Sequence, residues 1–118
     1  MAPIAEQYRP ELVLVSAGFD AHVRDPLAGM CVTESGYAVM LEQVLAVLPG
    51  RGAGRVALLL EGGYDLEALG SSLLASLRVL DGHDREEQGL PEPSRALDAD
   101  NDAALERAER TLSAYWKL

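Results

Sequence analysis

The sequence predicts an α/β fold built on a parallel sheet, and three observations carry that prediction. Two short runs, Leu12-Val13-Leu14-Val15 and Arg55 to Leu60, are continuous, apolar and partly β-branched, as strands buried on both faces of a parallel sheet are. Each run leads into glycine. Between and after them, apolar residues recur at helical spacing.

The elements follow in order. After the first strand, Tyr37, Met40, Leu41, Val44, Leu45 and Leu48 step at helical intervals behind Thr33, which stands where an N-cap belongs, and Pro49-Gly50 ends the run. After the second strand, Leu66, Leu69, Leu73, Leu77 and Leu80 step by three and four, predicting an amphipathic helix that stops near Asp81-Gly82. Residues 83–96 are polar, with Gly89, Pro91 and Pro93, and read as a linker. A last helix is expected over 97–117, with Leu97, Leu105, Ala108, Leu112 and Tyr115 on its apolar side. The unit is βαβα plus a C-terminal helix. Two parallel strands do not finish an architecture, because parallel sheets are built from several strands and covered on both faces. The chain is therefore expected to be part of a larger three-layer domain, or to have its strand edges completed by another chain.

Composition narrows the function classes. The net charge of -9 opposes nucleic-acid binding, which needs clustered Lys and Arg against phosphate. The acidic residues late in the chain, from Glu86 to Glu109, read as a solvated surface. The single cysteine, Cys31, reads as a buried small hydrophobe, and one cysteine forms no internal disulfide, which favours a reducing compartment. No apolar run approaches the ~20 residues of a membrane helix, and Met1 to Pro10 lacks a leader pattern. A cytoplasmic protein with neither nucleic acid nor membrane as partner is expected.

Both strands end alike, in Ser16-Ala17-Gly18-Phe19-Asp20 and in Glu61-Gly62-Gly63-Tyr64-Asp65. In open α/β sheets the ligand crevice lies at the carboxyl ends of the strands, where these loops would sit side by side. From spacing alone, glycine needed for a tight turn accounts for the pattern as well as a site does. Neither loop supplies the Gly-x-Gly-x-x-Gly cradle of a nucleotide-binding domain.

The longer string from Ser16 to Gly29, Ser-Ala-Gly-Phe-Asp-Ala-His-Val-Arg-Asp-Pro-Leu-Ala-Gly, followed by Leu60-Glu61-Gly62-Gly63-Tyr64-Asp65-Leu66, strongly resembles the zinc-dependent histone deacetylase and acetylpolyamine amidohydrolase family. The resemblance runs over residues 10–82 and implies the arginase-deacetylase fold. It implies that Asp20 is a carboxylate ligand of the catalytic zinc, a metal that takes three protein ligands and leaves a place for water. It also implies that Tyr64 is the catalytic tyrosine, donating to the acetyl oxygen as it becomes an oxyanion. Phe19, Leu27, Gly62 and Gly63 would line the substrate, with Leu27 against the acyl-lysine stem. His22 reads as a loop residue, Asp25 as a loop-fixing hydrogen-bond acceptor, and His83 as a linker residue.

Asp20-Ala21-His22 is spelled Asp-x-His but falls in the motif of the later aspartate ligand; the Asp-x-His and paired histidines that the resemblance places in an earlier segment have no counterpart here. The expectation is part of an amidohydrolase acting on acetyl-lysine, acetylpolyamine or related small amides, binding zinc only in a complete domain and inactive alone. The alternative is a non-catalytic fragment or interaction module, with a separate N-terminal half or a second copy as partner.

Overall fold

The computed structural model describes residues 2–48, 55–93 and 99–118. Helix α1 (Ala2–Tyr8) precedes strand β1 (Val13–Ala17), helix α2 (Glu34–Ala46), strand β2 (Val56–Leu60), helix α3 (Leu66–Leu80) and helix α4 (Ala99–Leu112). The α/β reading stands, with β1 and β2 paired in parallel from Val13↔Val56 to Ala17↔Leu60. Helix α1 has no counterpart in the expected order, since its mixed Ala-Pro-Ile-Ala-Glu-Gln-Tyr sequence shows no periodic apolar face. The expected stop at Pro49-Gly50, Leu97 at the start of the last helix, and linker residues 94–96 lie outside the described residues.

Local chemistry sets the helix starts. Thr33 takes extended backbone angles and its Oγ1 accepts from the Gly36 N–H at 3.4 Å, a weak form of the expected N-cap. Asp65 caps α3 more tightly, its Oδ1 accepting from Ala68 N at 2.7 Å.

Packing departs from the expected pattern in α3. The buried face carries Ala68, Ser72, Ala75, Ser76 and Val79, and of the leucine stripe Leu66, Leu77 and Leu80 are exposed. Small residues win that face because α2 lies against it, where Ala38 and Leu41 meet Ala75 and Val79 in one cluster. A helix apolar on more than one side is made to be covered on more than one side. Met40 in α2 is likewise exposed, and so is Cys31, contrary to its expected burial.

The second cluster joins Ala17, Phe19 and Tyr37 to Val15, Leu58, Leu69 and Leu73, so both helices cover one face of the sheet. The other face is bare: Leu14 is 65% exposed, and Leu12 and Leu59 are exposed beside it.

Two expectations for the tail are corrected. Residues 83–93 are not a free linker, since Arg85 N donates to Glu42 Oε1 at 2.7 Å and Leu90 packs on the α2–α3 cluster. Helix α4 ends at Leu112 rather than near Lys117, and its expected apolar side is unburied, with Leu105, Ala108 and Tyr115 exposed.

Candidate functional site

Parallel pairing sends the segments after β1 and β2 out of the same sheet edge, and backbone bonds hold them together there. Glu61 N donates to Ala17 O at 3.1 Å and Phe19 N to Gly62 O at 2.8 Å. The Asp20 carboxylate lies between them. A Cβ on Gly18 or on Gly62 would come within 2.8 Å of Asp20 Oδ1, so each loop omits a side chain where the carboxylate sits. Gly63 has a different reason to be glycine: its φ is +138°, and a Cβ would meet Leu69 Cδ1 at 2.9 Å.

Tyr64 follows with its side chain turned outward, 61% exposed, and Leu27 is 67% exposed. Gly62 and Gly63 adjoin Asp20 and Tyr64, so the structure brings five of the six expected site residues to one edge. Phe19 is the correction. At 3% exposure it packs on Tyr37, ring centroids 4.9 Å apart, and serves the core rather than a substrate wall. Strand alternation explains it, because the residue after Gly18 turns back toward the helix layer while Asp20 turns to the crevice.

Asp25 ties the site together in a way its sequence position does not announce. Its Oδ1 accepts from Leu27 N at 2.9 Å and its Oδ2 from Tyr64 N at 2.7 Å. Desolvation pushes its carboxyl up, but the N–H groups of Tyr64, Leu27, Asp65 and Ala28 outweigh that and hold it below the ordinary aspartate range. The adjacent Asp-Pro pair signals a loop, and nothing in the sequence links it to Tyr64, 39 positions on.

His22 is buried beneath the loop and not in the crevice. Its Nδ1 accepts from Arg24 N at 3.1 Å, which places the ring proton on Nε2, 3.4 Å from Glu34 Oε1 but without the alignment of a hydrogen bond. Glu34 Oε1 also accepts from the Ser71 hydroxyl at 2.8 Å, so the loop, α2 and α3 meet at one carboxylate. Burial raises the Glu34 carboxyl, and its own backbone N–H, Ser71 and His22 together bring it below the usual glutamate range. The Tyr37 hydroxyl is buried without a hydrogen-bond partner among the described residues, and burial followed by the charge of Asp20 pushes it above the ordinary tyrosine range. His83 lies away from this edge, exposed, 3.6 Å from Asp81.

Comparison with known proteins bears on this arrangement. Residues 1–80 match the histone deacetylase domain. The chain is 46% identical over 80 residues to histone deacetylase 18 of Arabidopsis thaliana, a match covering 68% of this chain and 11% of that protein. It is 46% identical over 82 residues to the human polyamine deacetylase HDAC10, covering 70% of this chain and 12% of that one. The crystal structure of the HDA15 HD domain superposes with a TM-score of 0.80 at 28% identity, over 97% of this chain and 28% of that one. The chain thus spans a small part of the relatives it matches. The domain match, the two loop motifs in order and the superposed fold agree that this chain belongs to the histone deacetylase family.

Proposed function

We propose that the chain supplies the C-terminal share of a zinc-dependent deacetylase site, with Asp20 as one carboxylate ligand and Tyr64 as the donor to the acetyl oxygen. The observation that carries the reading is the Asp20 carboxylate held between Gly18 and Gly62. Two loops from two strands leave room at one point, and what occupies it is an oxygen donor suited to zinc, at the sheet's ligand crevice.

Zinc does not fit the described residues by themselves. Catalytic zinc takes three protein ligands, and among the described residues no three His, Cys, Asp or Glu side chains come together. No step is therefore assigned through the metal in this chain, and metal-dependent turnover belongs to a complete domain. The chain's own share is plainer. The outward Tyr64 hydroxyl is free to donate to an oxyanion, and Leu27 offers an apolar wall to a methylene stem. The acetyl-lysine and acetylpolyamine classes are supported by the naming of the relatives as a histone deacetylase and a polyamine deacetylase. The exposed, unpaired Cys31 suits a reducing cytoplasmic setting.

A chimera tests this, with residues 10–82 replacing the matching segment of a relative's complete deacetylase domain. It should keep its zinc and hydrolyse an acetyl-lysine or acetylpolyamine reporter. Asp20→Ala should lower zinc occupancy, and Asp25→Ala should leave it more nearly intact. A folded, zinc-loaded but inert chimera, or metal lost with Asp25 rather than Asp20, overturns the reading.

The bare sheet face, with Leu12, Leu14 and Leu59 exposed, favours a second reading for the chain on its own: an interaction module completed by a separate N-terminal half. Mixing the chain with such a half should cover those leucines, read as loss of dye binding.

A further inference from the structure

We propose that Asp25 is the positioning residue of this site, its single carboxylate setting the backbone of Tyr64 relative to that of Leu27. The inference rests on the role given to Tyr64 above. Tyr64 is mostly exposed, so packing does not orient its ring, and the residue before it is a glycine at φ +138°. What remains to orient it is its own backbone. The Tyr64 N–H is donated to Asp25 Oδ2 at 2.7 Å, a closer tie between the two loops than the Arg24–Asp65 ion pair at 3.7 Å. The second oxygen, Oδ1, accepts from Leu27 N at 2.9 Å. The two N–H donors go to different oxygens of one short side chain, and asparagine there would set its NH2 donor against one of them. Asp25 is only 8% exposed, so water does not readily replace either bond. The apolar wall and the hydroxyl donor thereby keep a set separation, although they stand on different loops.

Amide hydrogen exchange and NMR on the full 118-residue chain test this without zinc, substrate or turnover, so its failure is distinct from failure of the deacetylase reading. In the unsubstituted chain the Tyr64 and Leu27 amides should be protected. Asp25→Asn should speed Tyr64 exchange roughly tenfold to a hundredfold, the worth of a hydrogen bond to a charged acceptor. It should also move both amide resonances together, while Ala68, capped by Asp65, stays protected and reports an intact fold. If the variant loses Ala68 protection as well, the unsubstituted chain decides: the Tyr64 and Leu27 amide shifts should follow the Asp25 carboxyl ¹³C titration. Asp20 and Tyr37 are neighbouring ionisable groups, so only shifts that track the Asp25 carboxyl carbon itself count. An unprotected Tyr64 amide in the unsubstituted chain, unchanged exchange in a folded Asp25→Asn, or amide shifts that ignore the Asp25 titration would each overturn the proposal.

Discussion

Substituting Gly62 by alanine probes the centre of the site without needing activity. Its added methyl would lie 2.8 Å from Asp20 Oδ1, 3.0 Å from Cγ and 3.4 Å from Oδ2. Non-bonded carbon contacts are optimal at about 3.5–4.0 Å, so the carboxylate must swing aside. Overpacking costs typically 1–3 kcal/mol. Because the obstructing atoms end a short, half-buried side chain without a hydrogen-bond partner among the described residues, the lower end applies, about 1 kcal/mol. With a urea slope near 2 kcal/mol per molar, the unfolding midpoint should fall by about 0.5 M. The decisive measurement is a double-mutant cycle. Asp20→Ala removes Cγ and both oxygens, so in that background Gly62→Ala should cost close to nothing, and the coupling should equal most of the single-mutant loss. Equal costs in the two backgrounds would refute the close approach, and with it the convergence of both loops on Asp20.

Three further outcomes are expected. Gly70→Ala, in the exposed interior of α3 with nothing within 4 Å of the added methyl, should stabilise by about 0.5–1 kcal/mol, and a lowered melting temperature would contradict this. Asp25 and Glu34 both have carboxyls held below their ordinary values, so their contribution is present in full above those values and is lost as pH falls through the folded-state ones. The urea midpoint should therefore drop in acid, less steeply in Asp25→Asn, and a midpoint that rises on acidification would reverse the sign. In a complete domain, Tyr64→Phe should keep zinc and KM while lowering kcat by roughly 10² to 10³, the loss of one oxyanion donor, and near-normal turnover would reduce Tyr64 to a surface aromatic.

The strands, the two main helices and the placing of both loops at one edge were determined by the sequence itself. Apolar runs, a 3.6-residue period and glycine after each strand are local properties, and local properties are legible in order along a chain. The motifs carried the family, and with it the roles proposed for Asp20 and Tyr64. Tertiary structure alone decided what equivalent positions do. Asp20 and Asp65 end matching pentapeptides, yet one stands between two glycines and the other caps α3. Phe19 and Tyr64 precede them in the same register, yet one is core and the other is exposed. The leucines of α3 form the better periodic stripe, yet alanine, serine and valine are buried, because close approach of α2 favours small side chains. Asp25 finds Tyr64 across 39 positions only because parallel pairing brings the two loops together. A residue's partners across the chain are fixed by which surfaces meet, and no local period encodes that.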